Sequence, residues 1–141
     1  MQQKRKMTAP APLIKAILIC DHIITEAGSN KKSLIGVFEN ITAPRFPYLH
    51  QLMSVYIKLT DAAGEYKMRI ELVDLRENKV IGKGEVPSIT FSDKLMHYEL
   101  TFNFAGLRLN HRGKYEFRIY ANDEFLDSKD FNVLQAKKKP S

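Results

Sequence analysis

Lys94–Phe104 reads KLMHYELTFNF, with an apolar side chain at every second position from Met96 onward. This period of two residues predicts an extended β-strand with one apolar and one polar face, because a helix would need a period of 3.6. The same alternation recurs in Met53–Leu59, Tyr66–Leu72 and Tyr115–Ala121. Half-buried strands of this kind are typical of antiparallel sheets, so the chain is predicted to be all-β.

Short polar connections join these strands. Asp61–Gly64 and Asn122-Asp123 have the composition of tight hairpin turns. Pro87 is expected to end a strand over Val80–Val86, because proline has no N–H to donate to a ladder. The longest irregular piece is Thr42–Leu52, which contains two prolines. The spacing of strands and turns predicts an antiparallel β-sandwich of about eight strands.

Three segments depart from simple alternation. Leu13–Ile24 and Leu34–Ile41 are apolar on both faces, which predicts central strands or strands covered on both sides. In Phe125–Val133 the apolar positions do not keep one parity. We expect a β-bulge near Lys129, since one extra residue moves every later side chain to the other face.

The segment Gly113-Lys114-Tyr115 precedes the last predicted hairpin and resembles the tyrosine corner of immunoglobulin-like domains. The resemblance implies that Tyr115 returns its hydroxyl to the backbone upstream and that Gly113 allows the corner. With one cysteine and no tryptophan, the chain lacks the cysteine–tryptophan–cysteine core of antibody domains. It is therefore expected to be a non-antibody immunoglobulin-like β-sandwich.

Across Leu13–Val133 the chain also resembles an uncharacterised family of small bacterial proteins. The motifs that carry this resemblance are Cys20-Asp21, Gly36-Val37-Phe38, Pro44-x-x-Pro47 and Gly113-Lys114-Tyr115-Glu116-Phe117. The family has no assigned activity. The resemblance therefore supports the fold and transfers no functional residue.

Charge and composition divide the 141 residues into three parts. Residues 1–12 are predicted to form a basic, proline-containing arm, residues 13–135 the sandwich, and residues 136–141 a basic tail. Six of the 22 basic residues lie in the two ends, and the remaining ones equal the 16 acidic residues in number. These six candidate nucleic-acid contacts are Lys4, Arg5, Lys6, Lys137, Lys138 and Lys139. The net charge of +6 therefore belongs to the ends and not to the sandwich.

The single cysteine, Cys20, cannot form an internal disulfide, so no oxidising compartment is required. The basic N-terminal residues and the apolar run Leu13–Cys20 are not followed by the small-residue cleavage site that a secretory signal peptide needs. No apolar run approaches the roughly 20 residues of a membrane helix. We expect a cytoplasmic protein that does not enter a membrane.

The residue types needed for catalysis or metal binding do not converge in the sequence. Cys20-x-His22 places a thiol and an imidazole on one strand face, but the remaining histidines, His50, His97 and His111, lie in unrelated segments. Zinc needs three or four ligands with recognisable spacing. A Gly-x-Ser-x-Gly elbow is missing, and Gly82-Lys83-Gly84 is interpreted as a strand bulge or edge rather than a phosphate cradle. We predict that the chain is not an enzyme and has no catalytic residue, metal or cofactor.

A non-catalytic binding or assembly module is the favoured interpretation, with another protein or a second copy as the partner. Sandwiches keep edge strands whose N–H and C=O groups can pair with another chain. The proline-flanked loop supplies the candidate contact residues Arg45, Phe46, Tyr48 and Leu49. The alternative for this loop is that Phe46 and Leu49 plug the end of the sandwich.

Weak nucleic-acid binding is the alternative function. The six basic end residues could neutralise about six phosphates. A sheet face that mixes aromatic and basic groups would add stacking, and its candidates are Tyr56, Lys58, Lys67, Arg69, Arg118 and Tyr120. Small-ligand binding and catalysis are less favoured, because no residue in the sequence points to either.

Overall fold

The computed structural model describes residues 10–137, which form nine β-strands. The strands are β1 (Leu13–Thr25), β2 (Lys32–Val37), β3 (Asn40–Ala43), β4 (Tyr48–Thr60), β5 (Gly64–Asp74), β6 (Lys79–Phe91), β7 (Tyr98–Leu109), β8 (Gly113–Ala121) and β9 (Glu124–Gln135). In this part of the chain no helix is long and apolar enough to cross a membrane. The all-β class predicted from the alternation is confirmed.

Two sheets pack face to face. One has four strands in the order β2-β1-β4-β7, and all its neighbours are antiparallel. The other has five strands in the order β3-β9-β8-β5-β6, which are antiparallel except for the pair β3–β9. The strand that raises the count from about eight to nine is β3, whose four residues are too few to display an alternation.

Aromatic rings fill the space between the sheets. Tyr115 and Phe117 of β8 each contact Phe131 of β9 with ring centroids 5.7 Å apart. Phe104 of β7 reaches Phe117 from the other sheet at 5.3 Å. The rings of Tyr115, Phe117 and Phe131 are almost completely buried. These contacts join both sheets through one core, at separations typical of favourable aromatic pairs.

The two glycines of β6 allow the sheets to approach closely. Gly82 and Gly84 lie on an edge strand, beside a register shift between Leu72 and Val73 of β5. A Cβ atom at position 84 would lie 2.8 Å from Cδ1 of Phe102 in the facing sheet. The interpretation of this glycine pair as a strand edge or bulge is confirmed, and its role is packing.

Tyr115 forms the corner that the sequence predicted. Its hydroxyl donates a hydrogen bond to the backbone carbonyl of His111 at 2.7 Å. Gly113 has a φ of 138°, which favours glycine because it carries no Cβ. Together with the two packed sheets, this corner makes the domain an immunoglobulin-like β-sandwich.

A buried carboxylate lies beside this corner. Asp74 is 3% exposed, and its Oδ1 accepts hydrogen bonds from the N–H groups of Arg76 and Glu77 at 3.0 and 3.1 Å. Its Oδ2 lies 2.6 Å from Nε2 of His111, whose Nδ1 lies 2.7 Å from the carbonyl oxygen of Arg112. Both ring nitrogens of His111 therefore lie within hydrogen-bond distance of an oxygen atom, which holds the ring in place beside the corner.

Two predicted strand bounds are wrong. Pro87 does not end β6, which continues to Phe91, because the proline lies on a sheet edge at a register shift. A missing N–H is tolerated at such positions. β7 begins at Tyr98 rather than Lys94, and Met96 is 55% exposed in the turn before it.

β9 contains a bulge, but not at the predicted position near Lys129. Its pairing with β8 is regular down to Asp127, and the next pair joins Phe125 to Tyr120, so Leu126 is the extra residue. The polar residues that follow carry no alternation. The sequence pattern therefore predicted that a bulge exists but could not locate it.

Candidate functional site

The outer side of the four-stranded sheet carries a group of exposed aliphatic side chains. On β1, His22 is paired with Ile35 of β2. Cys20 is paired with Val37 of β2 and, on its other side, with Ser54 of β4. Five large aliphatic residues on this side are 37–53% exposed: Leu18, Ile24, Ile35, Val37 and Leu52. We call these five residues and the side chains between them the aliphatic face. Contiguous exposed apolar surface of this kind marks interaction sites.

Three residues at the centre of the aliphatic face are buried although they point away from the core. Cys20 and Ser54 are 0% exposed and Tyr56 is 8% exposed. Oγ of Ser54 donates to Oδ1 of Asn103 at 2.6 Å, and the hydroxyl of Tyr56 donates to the carboxylate of Glu99. The hydroxyl groups of Ser54 and Tyr56 at the centre of the face are therefore already hydrogen-bonded within the domain.

Both ionisable groups at this centre stay uncharged near neutral pH. Burial raises the pKa of the Cys20 thiol, and the charge of Asp21 adds to the effect. Burial, followed by the hydrogen bond with Glu99, raises the pKa of Tyr56 to about 12. A thiol held in its neutral form is a poor nucleophile and a poor metal ligand, which favours a packing role for Cys20.

The outer side of the five-stranded sheet is ionic instead. Arg69 lies 2.6 Å from Asp123 and 3.0 Å from Glu71, and Arg118 lies 2.7 Å from Glu116. Among the described residues, every lysine or arginine in an ion pair belongs to a strand of this sheet. The two outer sides of the sandwich therefore differ in kind, one ionic and the other aliphatic.

Sequence reasoning did not name the five exposed aliphatic residues of this face as candidate contacts. The signal was present, since Leu13–Ile24 and Leu34–Ile41 are apolar on both faces. That pattern predicted strands that are central or covered on both sides. The central position is confirmed for β1 and wrong for β2, which is an edge strand. The exposure of Ile24, Ile35 and Val37 shows that no part of residues 10–137 covers these side chains.

The mixed aromatic and basic face predicted from the sequence is not assembled. Its members belong to two sheets, Tyr56 and Lys58 to the four-stranded one and Lys67, Arg69, Arg118 and Tyr120 to the five-stranded one. The guanidinium of Arg69 does lie 4.0 Å from the ring centroid of Tyr120, but acidic neighbours balance its charge. The prediction was wrong because alternation gives the two sides of a strand and not the sheet to which it belongs.

The predicted contact loop is shorter than expected. Only residues 44–47 are irregular, because Tyr48 and Leu49 already pair with β7. Phe46 and Tyr48 pack against the core, whereas Arg45 is exposed and Leu49 is 61% exposed. The plug alternative is therefore right for Phe46 and wrong for Leu49, and a contact role for these four residues stays a prediction.

A shallow depression of about 530 Å³ adjoins the aliphatic face and shares His22 and Leu52 with it. The ring of His50 lies there between Tyr48 and Phe38, with centroid distances of 5.9 and 6.2 Å. Its Nδ1 has no hydrogen-bond partner among the described residues. Burial lowers the pKa of His50, so the ring is neutral near pH 7 and its unpaired Nδ1 is buried.

Cys20 and His22 share one strand face, as the sequence predicted. Sγ of Cys20 lies 3.5 Å from the backbone carbonyl oxygen of His22. Between residues 10 and 137, no three His, Cys, Asp or Glu side chains lie close enough together to hold a metal ion. The predicted absence of catalytic residues, cofactor and metal stays a prediction.

The candidate nucleic-acid contacts fall mostly outside the described residues. Lys137 lies within them and is exposed. The other five, Lys4, Arg5, Lys6, Lys138 and Lys139, lie in residues 1–9 and 138–141, so their role stays a prediction.

The two ends of the described chain leave the sandwich at opposite ends. The carbonyl of Pro10 accepts a hydrogen bond from the hydroxyl of Tyr66 at 2.7 Å, close to Glu124 at the start of β9. Gln135, at the end of β9, donates to the carbonyl of Pro44 at 3.0 Å. A strand of this length spans about 40 Å. Pro10 and Gln135 therefore lie at opposite ends of the sandwich.

Among solved structures the likenesses are distant. An immunoglobulin-like protein from Pseudomonas aeruginosa has a TM-score of 0.43 at 12% identity, with 88% of this chain and 97% of that one covered. The alkylpurine DNA glycosylase AlkC of Pseudomonas fluorescens, bound to DNA with an abasic site analog, has a TM-score of 0.47 at 11% identity, with coverages of 84% and 30%. A β-glucosidase from Listeria innocua in complex with glucose has a TM-score of 0.44 at 11% identity, with coverages of 68% and 15%. This chain thus spans less than a third of either enzyme, and neither likeness bears on its function.

The sequence places the chain in a family. No curated protein matches it. The model of a family of unknown function, DUF6941, matches residues 15–134, which include all four motifs of the resemblance to an uncharacterised family. That resemblance is confirmed, and the chain belongs to the DUF6941 family of unknown function.

Proposed function

We propose that this domain is a non-catalytic binding module and that the aliphatic face is its binding surface. One observation carries the proposal: five aliphatic side chains, 37–53% exposed, gather on one sheet, while the ion pairs of the described residues gather on the other. Apolar surface in contact with water costs about 25 cal/mol per Å². A partner that covers the face removes this cost, so the face favours binding.

The charge of the aliphatic face favours a protein partner over nucleic acid. Cys20 and Tyr56 stay neutral at its centre because burial raises the pKa of both groups. The strand pairing places no lysine, arginine, aspartate or glutamate between its five aliphatic residues. A phosphate backbone is bound by clustered lysine and arginine, which this face does not carry. The nucleic-acid alternative therefore rests on the two tails alone.

The substitution Val37→Glu tests the proposal. Val37 is 53% exposed, so a carboxylate there is expected to leave stability within about 0.5 kcal/mol, but it would be desolvated by a partner. We expect capture of binding proteins to fall at least about tenfold. The measurement is quantitative mass spectrometry of proteins retained from nuclease-treated lysate by the immobilised full chain.

The matched control is Val80→Glu, which places the same charge at a 49% exposed valine on β6 of the other sheet. Retention should match the wild type for this variant, and thermal unfolding should be unchanged for both. If Val37→Glu retains the same proteins as the wild type in the same amounts, the aliphatic face is not the binding surface.

A further inference from the structure

We propose that the occupant of the aliphatic face is a second copy of this chain, packed sheet against sheet across a two-fold axis. This inference rests on the proposed binding surface and names its partner. A two-fold interface uses the same patch on both copies, so the patch must be complementary to itself in size, charge and polarity.

The outer side of the four-stranded sheet, of which the aliphatic face is a part, is large enough for a dimer. From the strand spacing and the rise per residue, the four strands present about 700 Å² per copy. Two copies that pack over the whole outer side of this sheet would bury about 1,400 Å² in total, which lies within the range of stable, specific protein interfaces. The surface is therefore large enough for a second copy without any contribution from the rest of the domain.

The charge of the face also suits a second copy. The strand pairing places no lysine, arginine, aspartate or glutamate between the five aliphatic residues, and next to them Lys58 lies opposite Glu99. Two copies would therefore meet without net repulsion. The ionic side formed by Arg69, Glu71 and Arg118 would instead have to give up its hydration on closing. Only the four-stranded sheet can pair with itself at low desolvation cost.

The distribution of apolar residues selects the direction of the axis. The aliphatic side chains lie toward β2 and β1, whereas β7 presents the polar residues Thr101 and Asn103. An axis that runs along the strands would lay β2 over the polar β7 of the other copy. An axis that runs across the strands lays β2 over its own counterpart, which joins the apolar parts and leaves β7 as a polar rim.

Sedimentation velocity of the full chain, at concentrations from about 1 μM to 1 mM, tests the proposal. We expect a species of twice the 16.2 kDa monomer mass. Val37→Glu and Leu18→Glu should each weaken self-association about 100-fold or more, since the symmetry introduces every new charge twice. Val80→Glu should associate like the wild type. Thermal unfolding checks that each variant folds, and Leu52→Glu, on β4 of the same face, replaces any variant that does not.

Leu18 distinguishes face packing from pairing along the free edge of β2, because it lies on β1, away from that edge. A dimer lost with Val37→Glu but kept with Leu18→Glu would mean edge pairing and would overturn the proposal. A wild-type chain that stays monomeric up to about 1 mM would also overturn it. In that case the retention experiment with Val37→Glu still decides whether the face binds a different protein.

Discussion

Replacing Asp74 with alanine is expected to lower the free energy of unfolding by about 3–5 kcal/mol. The carboxylate is 3% exposed and accepts hydrogen bonds from two backbone N–H groups and from His111. Without it, the two backbone N–H groups lose their acceptor and Nε2 of His111 loses its hydrogen-bond partner. A buried hydrogen-bonding group that is left without a partner costs about 1–3 kcal/mol, and here three such groups are affected. Urea unfolding followed by circular dichroism measures the change.

The matched control for this substitution is Asp130→Ala. The carboxylate of Asp130 also forms an ion pair, 3.1 Å from Nζ of Lys114, but its side chain is 46% exposed. Exposed pairs contribute about 0–1 kcal/mol, so the loss should be small. If both substitutions lower the free energy of unfolding by the same amount, the burial of Asp74 does not strengthen the effect of its hydrogen bonds.

Replacing Phe131 with alanine is expected to cost about 3–5 kcal/mol, the usual price of removing a buried phenyl ring. Phe131 is 1% exposed and contacts Tyr115 and Phe117 in the core. Phe125 lies in the same strand at a position of the same parity, yet it is 51% exposed because the bulge at Leu126 turns it outward. Phe125→Ala should therefore cost less than about 1 kcal/mol.

These two substitutions also test the position of the bulge. A regular strand would place both phenylalanines on one side, and the two losses of stability would then be similar. Chemical unfolding of the two variants, with equal m-values as a check on two-state behaviour, separates these outcomes. Equal losses would contradict a bulge at Leu126.

Alternation and one corner motif predicted much of the fold. The period of two in Tyr98–Phe104 and Tyr66–Leu72 identifies strands with one buried side, because only that side has to be apolar. The corner at Tyr115 was predictable because its hydrogen bond is local, reaching only four residues upstream to His111. Local geometry of this kind depends only on residues that are close together in the sequence.

The features that escaped prediction depend on distant residues. Asp74 and His111 meet only because β5 and β8 are neighbours, and no spacing rule links the two positions. The aliphatic face was misjudged for a related reason. A strand that is apolar on both sides has the same pattern whether its second side is covered by its own chain or left for a partner, and only the exposure of Ile35 and Val37 separates the two cases.

The opposite positions of the two chain ends decide how this domain responds to tension. A pull applied through Pro10 and Lys137 acts along the strands, because β9 runs from the end of the sandwich near Pro10 to the other end. The ladder hydrogen bonds of antiparallel strands are perpendicular to the strands. Such a force therefore loads many hydrogen bonds together in shear instead of opening them one after another. We expect the sandwich to resist stretching between Pro10 and Lys137.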